Sequence, residues 1–591
     1  MSEQKALPSV ESTSDAPASA TGALTGLRDA LSSLTLPYAL PGTAAARSRA
    51  DLVRDQLGDY VLPRLASLEA PLLAVVGGST GAGKSTLVSS LVRRHVTASS
   101  AIRPTTRRPL LLHAPGDGAW FEGDRVLGSL ARVRVAEDAA PTPPTSSTPR
   151  ELEVRTCSPL PGGLALLDAP DVDSVVEENR DLAATLLAAA DLWVFVTTAA
   201  RYADAVPWAL LRQAAERDVV IAVVLDRVPE GAGTDVENDL RRRLADAGLA
   251  DAPVFSVPET RLDAEGFLPD GVVAPLRSWL TGLAEDAAAR AAVARRTLAG
   301  ALGAALAETT ALAGELDAQS TEHDDLAHAA AAAHAEALAR VKEATEDGSM
   351  LRGEVLARWQ ELVGTGELLR GLESQVGRLR DRLGAALRGR PAPAAKVEEA
   401  IESSLASLVV AEAQRAALET ERAWRRAGTA PYQLTAALPS LPSDAELTQR
   451  AAALVRDWQG DVLEMVRAEG GDKRLTARVL SLGVNGVGVA LMVIVFAHTG
   501  GLSGGEVGIA GGTAVIAQRL LEAVFGDQAM RTMAERAHDD LVARVKSLLD
   551  ADELAFTAAL AQPEPTGAEL RRDVERARSA VGALLDGRSA Q

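Results

Sequence analysis

Between residues 72 and 258, short apolar runs alternate with longer stretches in which apolar positions recur every three or four residues. The runs are "LLAVVG", "PLLLH", "LALLD", "DLWVFVTT", "VVIAVVLD" and "APVFSV". Runs this short, apolar and rich in β-branched residues fit strands buried on both faces, and the helical stretches between them predict βαβ units. The pattern predicts a mostly parallel, doubly wound α/β sheet over residues 71–275. A Pro/Thr-rich loop, "APTPPTSSTPR" at 140–150, interrupts it.

The flanks read differently. Residues 1–22 are polar and Pro/Ser-rich, with no basic segment leading into an apolar core, which predicts a disordered tail and no signal peptide. Over 23–70 the pattern is helical: Leu52, Val53, Leu57, Tyr60 and Val61 share one face, Pro63 bends or ends the helix, and these helices are expected to pack with the bundle. Residues 276–475 are Ala-rich and helical with few turns, as in an extended bundle or stalk, with breaks at Pro391, Pro393, Pro439 and Pro442. Residues 476–526 are predominantly apolar, and 527–591 carry two charged amphipathic helices expected to return to the stalk.

Composition narrows the function classes. The apolar 47% is dominated by Ala, Leu and Val, with aromatics at 3%, which favours helices. The net charge of −19 argues against a nucleic-acid partner, whose binders present a basic surface. Cys157 is the one cysteine, so neither a disulfide framework nor a thiolate metal cluster is possible, and a reducing compartment fits. The seven histidines show no metal-ligand spacing.

The turn after the first run carries the chemistry. "GGSTGAGKST" places Gly78, Ser79, Thr80, Gly81, Ala82, Gly83, Lys84, Ser85 and Thr86 at G-x-x-x-x-G-K-[ST] spacing, after an apolar strand and before a helix. Glycines let the backbone curl its N–H groups around a phosphate, Lys84 adds a point charge for the β- and γ-phosphates, and the Ser85 hydroxyl can ligate Mg²⁺. The following helix offers the positive end of its dipole. "LALLDAPD" ends a strand on Asp168, positioned to hold Mg²⁺ through water. "RPTTRRPLLL" supplies a threonine before the second strand that can close over the γ-phosphate and orient water.

"TTRRPLLL" is similar to the switch I segment of dynamin-superfamily GTPases, and "DAPD" to their D-x-P-G switch II. The order of parts resembles bacterial dynamin-like proteins, particularly those of actinomycetes. The resemblance implies an α/β P-loop GTPase domain joined to a long all-α helical stalk with a hydrophobic, transmembrane hairpin. It makes Thr106, with Thr105 as fallback, the switch I threonine, and Asp168 the switch II aspartate. Lys84, Thr106 and Asp168 would be catalytic, Ser85, Thr106 and Asp168 would serve the metal, and Mg²⁺ and GTP would be the cofactor and substrate. The chain departs from that family at three places. Thr80 and Gly81 stand where it places Gln and Ser, and Asp171 stands where it has glycine. "LDRVPEG" replaces N/T-K-x-D, with Asp226 and Arg227 near the Asn and Lys positions and Pro229 at the aspartate. "FSVPE" could form the loop behind the base. Arg201 and Asp204, in "TTAARYADAVPW", read as an exposed loop before a helix, with a role near the nucleotide or across a dimer as the alternative, and Trp208 reads as packing.

Val479–Ala497 is a run of 19 residues without a charge. As a helix it reaches about 28 Å, close to a bilayer's hydrocarbon thickness. A glycine-rich turn and a shorter uncharged return, Val507–Gln518, follow. Lys473, Arg474, Arg478 and Arg519 flank the pair, which predicts a hairpin entering from the cytoplasmic face of the cell membrane. A buried hairpin in a bundle core is the alternative.

These readings converge on a membrane-associated dynamin-like GTPase that uses GTP and Mg²⁺ to drive conformational change or assembly, in cell division or envelope maintenance. Its expected partners are the lipid bilayer, further copies through the GTPase domain or stalk, and a second dynamin-like protein or division proteins. A nucleotide-gated membrane scaffold with little hydrolysis and an Era-like soluble GTPase are the rival readings.

Overall fold

The computed structural model describes residues 16–97, 108–140, 151–171, 177–231, 233–347, 349–351, 353–364, 393–469, 484–496, 517–522 and 524–587. The chain divides into two compact units: residues 1–36, 42–318 and 563–591 in the first, 37–41 and 319–562 in the second.

The first unit is built on one sheet. Its strands are β1 (Leu72–Gly78), β2 (Leu110–His113), β3 (Ala131–Val135), β4 (Glu151–Thr156), β5 (Leu164–Asp168), β6 (Leu192–Thr198), β7 (Val220–Val228) and β8 (Val254–Pro258), ordered β3-β4-β2-β5-β1-β6-β7-β8. Every neighbouring pair is parallel except β2 with β5. The mostly parallel sheet expected from the run pattern is therefore present, with two further strands. All seven residues of β1 are buried because both faces are covered. Leu72, Ala74 and Val76 join a core with the helices Lys84–Val92 and Asp270–Glu285, while Leu73 and Val75 join one that includes Leu186, Leu211 and Leu240.

Helical segments complete this unit. The helix Ala16–Ser32 begins inside the stretch expected as tail, and Ala20 and Leu24 are fully buried. It packs with Thr43–Gln56, with Leu298–Leu316 of the helix Ala287–Glu346, and with Gly567–Gly587. A fully buried Asp191 ties the helical segment 57–66 to the sheet. It accepts hydrogen bonds from Leu73 N (2.8 Å) and the Tyr60 hydroxyl (3.1 Å), and pairs with Arg64. A buried carboxylate with this many donors is compensated rather than orphaned.

The second unit is helical. Its main core joins the helices Glu354–Gly364, Pro393–Ala427, Asp444–Glu469, Val484–Val495 and Asp527–Thr557. Trp458 donates its indole N–H to Ala537 O at 2.7 Å, and Trp424 donates to Leu326 O at 3.0 Å. Both rings thereby keep a partner while wholly buried.

Here the expectation of a membrane-spanning hairpin finds no support. The described part of the apolar run is a 12-residue helix, Val484–Val495. At 1.5 Å per residue it spans about 18 Å against roughly 30 Å of hydrocarbon. Val487 and every residue from Val489 to Phe496 are at most 1% exposed. Phe496 sits 5.8 Å from the Trp458 ring, and a Cβ at Gly488 would lie 2.3 Å from Leu463 Cδ2. A helix apolar on all sides suits a protein core as well as lipid, and these residues are packed on protein. Among the described residues no helix is long and apolar enough to cross a membrane. The rest of the expected hairpin, 476–483 and 497–516, lies outside them.

Candidate functional site

The site lies where ligands gather in open α/β sheets, at the carboxyl ends of parallel strands. β1 delivers the chain to Gly78, which pairs in register with Val196 of β6. Gly78 has φ +151, and a Cβ there would fall 2.0 Å from Val196 O, so no other residue fits. Gly83 (φ +92) precedes the helix Lys84–Val92, and a Cβ there would meet Asp226 Oδ2 at 2.6 Å. These two positions fix the curl of the loop and its approach to β7.

Lys84 is buried, and its ammonium donates to Gly78 O (3.0 Å), Ser79 O (3.1 Å) and Asp171 Oδ1 (2.5 Å). Asp171, the residue that replaces glycine, thus places a carboxylate on the lysine that would face phosphate. Ser85 donates to Asp168 Oδ2 at 2.7 Å. Asp168 is 1% exposed, and its Oδ1 has no partner among the described residues. Burial, with Asp171 adding to it, pushes the Asp168 carboxyl up to about 6, against the opposing pull of Ser85 and Lys84. The Ser79 hydroxyl is likewise buried and unpartnered.

A buried carboxylate with one idle oxygen, beside a serine hydroxyl, is a donor set short of a cation. It fits Mg²⁺, a hard ion that keeps several waters and takes one or two carboxylates together with substrate phosphates. Among the described residues no cluster of three or more His, Cys, Asp or Glu offers a metal cage.

β7 supplies the far wall. Its register against β8 shifts between Leu225 and Val228, and Arg227 adopts φ +52. Such a bulge re-aims side chains at a strand end. Arg227 Nη2 donates to Gly81 O at 3.0 Å, and its Nε lies 3.6 Å from Asp226 Oδ2. Burial raises the Asp226 carboxyl above its ordinary range, while Arg227 pulls it down. A cavity of about 240 Å³ opens between Gly83, Thr86, Leu87, Val196, Asp226, Arg227, Pro258, Thr260 and Leu262. It adjoins the phosphate loop and is lined by polar groups (Thr86, Asp226, Arg227 and Thr260) as well as apolar ones.

The geometry brings together Gly78 to Thr86, Asp168, Asp226 and Arg227. Thr106 and Thr105 lie outside the described residues. Trp208 packs in the core and donates to Tyr202 O. One feature escaped the sequence reading, and a second was read there only as the alternative to an exposed loop. Thr260 and Leu262 line the cavity from the segment after β8, and Arg201 Nη1 donates to Thr80 O at 3.0 Å. The signal for Arg201 was its place just past the end of a strand that neighbours β1.

Residues 73–227 match the Dynamin family. This segment is a dynamin-family GTPase domain, a class whose chemistry is GTP hydrolysis. No curated protein matches the chain. Among solved structures, the chain is similar to a bacterial dynamin from an oligomerised pair described in the long-range sensing and tethering of membranes. That alignment has 10% identity over 95% of each chain and a TM-score of 0.39. It is also similar to LeoA, a bacterial dynamin GTPase from ETEC, with 13% identity over 97% of this chain and 95% of that one and a TM-score of 0.23.

Proposed function

We propose that this chain is a membrane-associated dynamin-like GTPase whose nucleotide cycle drives a change of conformation or assembly at the membrane. The observation that carries the reading is the junction of β1 with its helix. A backbone loop, a buried lysine and a serine–aspartate pair with an idle oxygen converge there. Mg²⁺, when bound, neutralises charge on the β- and γ-phosphates, and Ser85 and Asp168 would hold it. Lys84 exchanges Asp171 for phosphate oxygen on loading. Thr106 orients the attacking water, and Asp226 and Arg227 flank the base.

Membrane contact is supported by the uncharged runs 479–497 and 507–518 with basic residues on both sides. Full insertion would require Val484–Phe496 to leave its core, giving up its packing on Trp458 and Leu463 and exposing the apolar surface they cover. Contact through the segment between the runs, from the cytoplasmic face, is the cheaper mode. Self-association through the GTPase domain or the helical region fits this scheme. Flotation of the full chain with liposomes, with and without GTP, tests it. Nucleotide-dependent flotation is expected, and turnover without flotation in any state would end the membrane half.

A further inference from the structure

We propose that Arg201 is a catalytic residue supplied in cis, a guanidinium that neutralises charge on the β–γ bridge of the bound triphosphate. The inference rests on the GTPase reading of the site and adds a residue to it. Val196 of β6 pairs with Gly78, so the turn that follows β6 must emerge beside the phosphate loop. Hydrogen bonds from Arg201 N and Tyr202 N to Thr198 O, at 3.0 and 2.9 Å, hold that turn. Sheet register, not loop chance, therefore sets where Arg201 stands.

Its side chain is aimed. Nε donates to Asp204 Oδ2 at 2.9 Å while Nη1 reaches Thr80 O at 3.0 Å. At 42% exposure, an ion pair with Asp204 orients the fork more than it cancels its charge. Thr80 and Gly81 stand in the middle of the phosphate loop, with a hydroxyl and a hydrogen as their side chains. Their carbonyls are met by Arg201 and Arg227. A neutral carbonyl is a weak acceptor for a guanidinium, and a triphosphate cradled by the same loop is a far stronger one. Arg201 therefore transfers from Thr80 O to phosphate oxygen on loading.

The step conserves atoms and charge. Water oxygen forms the new bond to γ-phosphorus, the bond to the β–γ bridging oxygen breaks with its electron pair staying on GDP, and both water protons leave on the released phosphate as H₂PO₄⁻. Arg201 donates hydrogen bonds to that oxygen and gives up no proton, since a guanidinium stays charged. Arginines in this position contribute about 10³–10⁵ in kcat.

The test uses the full chain with Mg²⁺ and GTP, measuring kcat and KM for wild type, Arg201→Ala, Arg201→Gln and Arg201→Lys. GDP affinity is measured as a check on folding, and capture of GDP with aluminium fluoride as a mimic of the transition state. The expected result is a kcat loss of about 100-fold or more in Arg201→Ala and Arg201→Gln, with KM and GDP affinity within about threefold of wild type. Aluminium fluoride capture should be lost, and Arg201→Lys should recover little, because the fork is gone. Unchanged kcat, a loss carried wholly by KM, or undiminished capture in Arg201→Ala would overturn the proposal. If wild type itself fails to turn over GTP, this role and the GTPase reading fall together. If wild type turns over and the variants match it, only the role of Arg201 falls.

Discussion

Two apolar stretches of this chain end in opposite states. β1 is buried on both faces yet opens at Gly78 onto a site, shared with the end of β5, whose polar groups are not internally satisfied: Ser79 Oγ and Asp168 Oδ1 have no partner among the described residues. The helix Val484–Val495 has no such opening, and Trp458, Leu463 and their neighbours close around it. Polar atoms left unsatisfied in one place point to a ligand. Apolar atoms satisfied on all sides point to packing. The difference is what separates a site from a core, and hydropathy alone does not show it.

The comparison can be broken most forcefully at Lys84. Lys84→Ala removes the charge in the loop and leaves Asp171 without its 2.5 Å partner. GTP affinity should fall by about 10³-fold, roughly 4 kcal/mol, with turnover lost. Equilibrium titration with a fluorescent GTP analogue reads this, and wild-type affinity would remove the loop from the nucleotide site.

On the other side of the comparison, Leu491→Asp buries an unpaired carboxylate in the helical unit, and Leu491→Ala leaves a cavity. Costs of more than about 4 and of about 2–5 kcal/mol are expected in urea unfolding followed by tryptophan fluorescence. Asn485→Asp, at the exposed start of the same helix, serves as a control that should shift stability by less than about 0.5 kcal/mol. If Leu491→Asp leaves the transition unmoved, this helix does not sit in the core as described.

A smaller effect sharpens the site half. Asp171→Asn removes the anion that competes for Lys84 while keeping the side chain's shape. GTP should bind about tenfold tighter. Weaker binding would mean that Asp171 assists the nucleotide rather than occupying its place. Smallest is Arg227→Ala, which lies on the base side and bonds Gly81 O. It should weaken GTP by about threefold, with kcat nearly unchanged.

The ease of reading each region from sequence follows the same divide. The phosphate loop was legible because its chemistry is local: nine consecutive residues carry it, and strand and helix patterns frame it. Six strands were legible as apolar runs. β4 escaped because Glu153 and Arg155 interrupt "ELEVRT". In the fold they are buried and pair with each other at 2.8 Å, so charges that break the apolar run sit inside the sheet. β3, "ARVRV", is an edge strand with no fully buried residue and two arginines, and its pattern is correspondingly weak. Arg201 and the cavity beside Asp226 are products of register between distant strands, which spacing along the chain does not encode. The apolar run 479–497 was legible as apolar and nothing more. Hydrocarbon and a bundle core select the same residues, and only the neighbours of Val487 to Phe496 decide between them.

The central claim is that the β1 junction holds a Mg²⁺–nucleoside triphosphate, and titration of the full-length protein with GTP by calorimetry, with Mg²⁺ and then with EDTA, tests it most directly. The account predicts one saturable, Mg²⁺-dependent site per chain in wild type. Absence of saturable heat, or binding indifferent to the metal, would contradict it.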